Sequence, residues 1–339
     1  MQNELAGTSR SGHDEILSAL RHMNLIATGD PKIIPLSGGV SSNIVRIEDG
    51  PRVFCAKSAL AKLKVAVDWR APVRRNQTEA AWMREVRHIV PCAVPAILGE
   101  DASRNVFAME WLDPVVHPVW KILLLNGEVL PDQSGQVGTL IGRIHAATAG
   151  RPDIAERFAN AEDFEALRLA PYLIATAQAH PAQAAHLISL ADRTSSTRLV
   201  LIHGDVSPKN ILMGPKGPIL LDAECATYGD PAFDLAFCLN HLLLKTLHLP
   251  AYREAFEESF RALANAYFAE VTWEDSTGLD ARTCGLLPAL ALARIDGKSP
   301  VEYLDAGERS RIRDAAIPLV DRPSVELGDF WKRWKEFIA

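Results

Sequence analysis

Between Leu199 and Glu224 the chain alternates short apolar runs with a polar loop and a tight turn, and few folds accommodate that order. Leu199 to Ile202 is an apolar run of buried-strand type, too short to be read as a helix. The polar loop that follows carries Asp205 and, five residues on, Asn210. Ile211 to Met213 and Pro218 to Leu221 then flank Gly214-Pro215-Lys216-Gly217, the composition of a hairpin turn. With the turn centred near Lys216, antiparallel pairing sets Asn210 opposite Asp222 at the open end of the hairpin, beside the loop that carries Asp205. Two carboxylates and an amide oxygen then share one small space. Carboxylates that approach each other repel unless a cation or a proton lies between them. Hard oxygen donors of this kind suit Mg²⁺, which keeps waters and takes phosphate oxygens as further ligands.

The surrounding sequence changes character once. His13 to Ile26 has helical spacing, and Gly29-Asp30-Pro31 ends it. Strands are expected at Ile33 to Leu36, Ile44 to Ile47, Val53 to Lys57, Ala96 to Leu98 and Val106 to Trp111, with one helix at Arg75 to Ile89. Beyond Asp113-Pro114 the pattern turns helical: Gln136 to Ala149, Ala161 to Ala177, Pro181 to Arg193, Pro231 to Leu247, Tyr252 to Ala269, Cys284 to Arg294, Gly307 to Ala315 and Asp329 to Ile338. Only the segment at Leu199 to Leu221 interrupts it with β structure.

Composition narrows the function classes. Hydrophobic residues make up 48% and charged residues 23%, the balance of a folded globular chain, and 339 residues suffice for two lobes. A formal charge of −6 argues against broad nucleic-acid binding, which needs a basic surface, and is compatible with a cationic small molecule. The five cysteines are odd in number and form no CxxC pair, as expected of a reducing compartment. Met1 to Asp14 is polar, and no apolar run approaches the roughly 18 residues that span a bilayer. The expectation is a cytoplasmic protein, monomer or homodimer, without membrane or nucleic-acid partners. Gly297-Lys298-Ser299 mimics the end of a phosphate-binding P-loop, but Leu292 stands where its first glycine belongs.

His203-Gly204-Asp205, four further residues, Asn210, and then Asp222-Ala223-Glu224 resemble the catalytic loop and metal-binding segment of the aminoglycoside phosphotransferase and choline kinase superfamily. That resemblance implies an α+β, protein-kinase-like fold of two lobes, a small β-rich one over 1–112 and a larger, mostly helical one over 113–339. It implies transfer of the γ-phosphoryl group of ATP to a hydroxyl of a small molecule, such as an amino sugar, an amino alcohol or a sugar-like acceptor. Asp205 would accept or orient the proton of the attacking hydroxyl, and Asn210 and Asp222 would hold Mg²⁺ on the ATP phosphates. A loose phosphoryl-transfer transition state needs in-line positioning and charge neutralisation above all. A catalytically silent nucleotide-binding module of the same fold is the alternative. Retention of Lys57, Asp205, Asn210 and Asp222 together favours the enzyme.

The resemblance extends upstream. Ser37-Gly38-Gly39-Val40-Ser41-Ser42-Asn43 resembles the nucleotide loop, with Gly38, Gly39, Ser41 and Ser42 as cofactor-binding candidates; an ordinary hairpin turn suits the same residues. Lys57 resembles the strand lysine that meets ATP phosphates, and Glu79, in Arg75-xxx-Glu79, fits its helix partner better than Glu85. Phe107 to Leu112 resembles the adenine-binding linker, which adds Glu110 and Leu112. Ala56 to Trp69 is faintly similar to methylthioribose kinases, which lack an asparagine at the position of Asn210. Asp230 is expected to cap a helix, Asp234 to buttress the catalytic loop and His145 to be packed. Only seven residues separate Asp222 from Asp230, too few for a long activation loop, so a small acceptor is expected. Its candidate contacts are Asn240, His241, Arg294, Asp296 and Lys298, each of which suits a packed or solvated helix end equally well.

Overall fold

The computed structural model describes residues 13–27, 29–36, 42–60 and 72–338. The chain divides into two compact units, Met1–Pro114 and Val115–Ala339.

In the first unit, five antiparallel strands form one sheet in the order β1-β2-β3-β5-β4: β1 (Lys32–Pro35), β2 (Ser42–Asp49), β3 (Arg52–Ala59), β4 (Ile97–Asp101) and β5 (Val106–Glu110). Side chains two apart share a sheet face. Val45 and Ile47, Phe54 and Ala56, and Val106 and Ala108 therefore make one apolar face, and Ile16, Ala19 and Leu20 of helix α1 (13–22) cover it. Lys57 has the opposite parity and meets helix α2 (Arg75–Ile89), which packs on β3, β4 and β5. Helix α1 ends before the Ile26 that periodicity suggests. Asn24 takes φ 55°, Asn24 N–H bonds Arg21 O at 3.0 Å, and Leu25 N–H reaches back to Leu20 O at 2.9 Å. This left-handed close satisfies the last carbonyls of the helix.

The second unit is helical. Helices α3 (Trp120–Leu125), α4 (Pro131–Thr148) and α5 (Pro152–Arg157) lead to α6 (Ala161–Phe164), which runs through a π-helical stretch, Glu165–Ile174, into α7 (Ala175–Ala179). Regular helix was expected over Ala161 to Ala177. Pro171 lies inside the π-helical stretch and has no N–H for an i→i−4 ladder, so the turn widens around it. Helix α8 (Ala184–Ser196) precedes β6 (Val200–Ile202), β7 (Ile211–Gly214), β8 (Gly217–Leu220) and β9 (Thr227–Gly229). The β segment expected over Leu199 to Leu221 gives β6 and the hairpin β7–β8, and β9, beyond its expected end, pairs with β6. Then come α9 (Pro231–His248), α10 (Arg253–Phe268), α11 (Ser276–Asp296), α12 (Ala306–Asp321) and α13 (Leu327–Ile338).

Helix α9 is buried from Pro231 to Leu247 and forms the hub against which α4, α10, α11 and α12 pack. Helix α4 approaches α10 backbone to backbone, since a Cβ on Gly138 would lie 2.1 Å from Leu263 O. Helix α11 starts well before the expected Cys284, and α12 starts within one residue of the expected Gly307 and continues past the expected Ala315. Asp275 caps α11 by accepting from Gly278 N–H at 3.3 Å, and Asp305 and Glu308 form a reciprocal capping box on α12. No described helix is long and apolar enough to cross a membrane.

Candidate active site

Strand β6 delivers the chain into His203-Gly204-Asp205, and the loop is fixed from three sides. Gly204 has φ 78°, and a Cβ there would meet Cys225 O at 2.7 Å, so only glycine permits this turn. Asp234, in the first turn of α9, accepts from His203 N–H at 2.7 Å and from Gly204 N–H at 2.8 Å, one bond per oxygen. His145 of α4, buried as expected, joins Asp234 Oδ2 at 3.3 Å and Tyr267 Oη at 2.8 Å. His203 ties the loop to the hairpin: its Nδ1 accepts from Asp205 N–H at 3.1 Å, and its Nε2 donates to Leu221 O at 3.0 Å. That pattern requires the neutral ring, and burial pushes the His203 pKa down, as the neutral form demands.

Asp205 is buried and points one oxygen at two cations. Arg168 Nη2 lies 2.8 Å and Lys209 Nζ 3.3 Å from Asp205 Oδ2. Burial alone raises this carboxyl, and Asp222 adds to the rise. The Arg168 guanidinium and the Lys209 ammonium outweigh both and hold it below its ordinary value. Oδ1 makes no bond to any described residue, so the group is an ionised carboxylate with one oxygen available. Arg168 also donates to Gly204 O at 2.7 Å and to Leu167 O at 2.7 Å. Arg168 comes from the π-helical stretch and belongs to no motif in the sequence.

Asn210 closes the loop by donating Nδ2 to Asp205 O at 3.1 Å, which turns its Oδ1 the other way. The hairpin pairs Ile211 with Leu220 and Gly214 with Gly217, and Leu221 N–H bonds Asn210 O at 2.9 Å. Asn210 thus lies opposite Leu221, and Asp222 follows one position later than the expected pairing. The two turn residues are Pro215 and Lys216, so the turn is centred half a residue before Lys216. Asp222 takes φ 67°, a left-handed conformation that is costly for a non-glycine residue and that redirects the chain as it leaves the hairpin. Asp230 caps α9 by accepting from Ala232 N–H at 3.0 Å and also takes Arg282 Nε at 3.1 Å.

In the first unit, Lys57 Nζ lies 2.6 Å from Glu79 Oε2 with both groups buried, while Glu85 is half-buried further along α2. Ser42 opens β2, buried and paired with Ala59. Glu110 ends β5, exposed, and its Oε2 accepts from Ala96 N–H at 3.2 Å; Leu112 follows the strand and is half-buried. Gly38, Gly39 and Ser41 lie outside the described residues, as does most of the Ala56 to Trp69 segment.

The acceptor candidates separate into three groups. Asp296 is taken up by α12 and the end of α7: Arg313 binds both its oxygens, at 2.6 and 2.8 Å, and His180 Nε2 lies 2.8 Å away. Lys298 is exposed, held by its backbone N–H to Pro171 O at 2.9 Å. Asn240, His241 and Arg294 keep buried side-chain atoms without partners among the described residues: both amide atoms of Asn240, His241 Nε2 and Arg294 Nε.

The Phosphotransferase enzyme family matches residues 32–273 of the 339. A methylthioribose kinase of Yersinia enterocolitica is 24% identical over 232 residues, which are 61% of this chain and 58% of that protein. The match therefore spans little more than half the length of that relative. Among solved structures, an amicoumacin kinase in complex with AMP-PNP, Ca²⁺ and Ami is 15% identical, with 98% of this chain and 99% of that one covered at a TM-score of 0.59. An aminoglycoside phosphotransferase from Alicyclobacillus acidocaldarius is 14% identical, with 94% and 96% covered at a TM-score of 0.51. The fold is α+β and protein-kinase-like, and the chain belongs to the Phosphotransferase enzyme family.

Proposed function

We propose that the protein is an ATP-dependent kinase that phosphorylates a hydroxyl group of a small molecule. The observation that carries this is Asp205: an ionised carboxylate, buried, fixed on one oxygen by Arg168 and Lys209 and open on the other. Such a group accepts a hydrogen bond from an alcohol and aligns it. A carboxylate held below its ordinary pKa is a weak base, and that suffices when little proton transfer precedes the loose transition state.

The donor set suits a hard divalent cation. Asn210 spends its amide N–H on Asp205 O, which leaves a carbonyl oxygen, and Asp222 brings a carboxylate that already acts electrostatically on Asp205. Mg²⁺ bound there would neutralise charge on the phosphates. On this reading Asn210 and Asp222 hold the metal, Asp205 orients the acceptor, and Lys57, set by Glu79, serves the nucleotide phosphates. Gly38, Gly39, Ser41, Ser42, Glu110 and Leu112 remain the nucleotide-side proposals. The likeness to methylthioribose kinase makes a sugar-like acceptor the second reading.

The test is ATP consumption over amino sugars, amino alcohols and sugar alcohols, with Asp205→Ala as control. Turnover should fall at least ~100-fold, the scale of a lost acid–base group, while Mg²⁺-ATP binding survives. Equal turnover by the two proteins would remove Asp205 from the chemistry.

A further inference from the structure

Among the described residues, two cations of the second unit, Lys245 and Arg294, pair with no carboxylate within 4 Å. On α9, Phe237, His241, Lys245 and His248 follow one another at spacings of four, four and three and so share a face. Lys245 is fully buried; its Nζ donates to His241 O at 3.1 Å and lies 5.0 Å from the centre of the Tyr303 ring. Arg294, in the last turn of α11, donates Nη1 to Tyr172 Oη at 3.1 Å and to Ser299 Oγ at 3.0 Å, and its Nε is buried without an acceptor. His241 Nε2 and Tyr303 Oη are also buried without partners.

The acids nearby are already engaged. Glu302 is bonded to Lys121, and Glu308 faces His248 Nδ1 at 3.1 Å. Burial, then Lys121 and Arg294, press the Lys245 ammonium down to about 7, and Glu302 and Cys238 do not restore it. Burial, with Arg294 and Lys245 next, drives His241 well down as well. A buried positive charge without a counterion is costly, and orphaned buried polar atoms are rare.

The cluster adjoins the catalytic carboxylate. The Tyr172 ring has Arg294 at 5.7 Å and Arg168 at 5.9 Å, and Arg168 is the residue that grips Asp205. We propose that the acceptor carries an anionic group, a carboxylate or a phosphate, received by Arg294, His241 and Tyr303 with the buried Lys245 amine behind them. This rests on the small-molecule kinase reading and selects within it, because a cationic acceptor would meet Arg294 and Lys245 with the wrong sign. An anion also returns the proton to Lys245, so binding takes up protons above pH about 7.

The experiment uses the full chain with Mg²⁺-ATP. ATP consumption is measured with D-gluconate, D-ribose 5-phosphate, ribitol and choline, and sulfate binding is followed by calorimetry at constant ionic strength. The expected result is turnover confined to the anionic acceptors, or a single sulfate site that competes with them. Arg294→Met should raise KM or the sulfate Kd at least ~10-fold, the scale of one charge-assisted contact, and leave Mg²⁺-ATP binding unchanged. Lys245→Met, apolar and of similar volume at a fully buried position, should keep the fold and also weaken sulfate. The gluconate and ribose-phosphate arms separate a carboxylate from a phosphate. Turnover of ribitol or choline alone, or sulfate binding that is absent or indifferent to both variants, overturns the anion site and leaves the kinase standing. Failure of the wild type to bind Mg²⁺-ATP overturns the kinase reading instead, and sulfate calorimetry then reads the anion site by itself.

Discussion

Replacing Arg168 with methionine should convert Asp205 from an ionised group into one that titrates in the working range. Arg168 is 6% exposed and supplies the 2.8 Å partner of Asp205. Once it is gone, burial is opposed by Lys209 at 3.3 Å, whose side chain is 49% exposed and whose attraction water therefore screens. Burial is the largest influence on this carboxyl, so its pKa must rise. Removing one partner of a buried ion pair costs about 3–5 kcal/mol. For a unit of this size that corresponds to a Tm lower by roughly 6–20 °C at neutral pH.

The pH dependence separates this from a packing defect. In the wild type a depressed carboxyl stabilises the fold above its unfolded pKa and loses that contribution as pH falls through the folded value. In Arg168→Met the raised carboxyl protonates earlier as pH falls, and protonation relieves the uncompensated charge. The Tm gap between the two proteins should therefore be widest near pH 7.5 and narrow towards pH 4.5. The acid limb of kcat should move to higher pH in the variant. Calorimetric scans and a kcat profile over that range check both points. Adding Asp205→Asn to Arg168→Met should recover part of the lost stability, because no buried charge then remains. A Tm gap that stays constant with pH, together with superimposable kcat profiles, would show that Arg168 only fills space.

Asp234→Asn can accept only one of the two backbone N–H groups that Asp234 now takes, so kcat should drop at least ~10-fold with about 1–3 kcal/mol of stability, while Mg²⁺-ATP binding persists; an unchanged kcat would free the loop from this anchor. Lys57→Met leaves Glu79 buried and short of a cation, an expected loss of about 3–5 kcal/mol by denaturant titration, and Lys57→Met with Glu79→Gln should be more stable than the single variant; a double variant no better than Lys57→Met would show that the two groups are not coupled.

What the sequence reveals of this site is what is local. Gly214-Pro215-Lys216-Gly217 marks the hairpin because a tight turn needs those residues, and the register error of one position arises because glycine stands on both sides of the turn. Asp230 and Ala232 are two residues apart, so the helix cap follows from spacing, whereas the anchoring of the loop by Asp234 is implied by the family resemblance. Arg168 leaves no such trace. Its partner Asp205 is far away in sequence, and the widened turn that aims it depends on Pro171 within a segment whose periodicity reads as plain helix. The start of α12 is legible to within one residue, whereas weak apolar periodicity in the first turns of α11 hides its start at the Asp275 cap.

The charge around the proposed acceptor site illustrates the same limit from the other side. A formal −6 sums the whole surface, and acids spread over solvated helices dominate that sum. A bound ligand responds instead to the few charges within a Debye length that water does not screen. Around Tyr172 and Tyr303 those are Arg294, Lys245, Lys121 and Arg168 against Glu302, Glu308 and Asp205. One signal was present in the sequence: Lys245 interrupts Leu242-Leu243-Leu244 and Leu247 on a helix otherwise apolar enough to be a core element. A lysine placed there must be desolvated, and desolvation with two cations nearby moves it towards the neutral amine, which an arriving anion would reprotonate. The sign of the net charge therefore does not decide between a cationic acceptor and the anionic one proposed above.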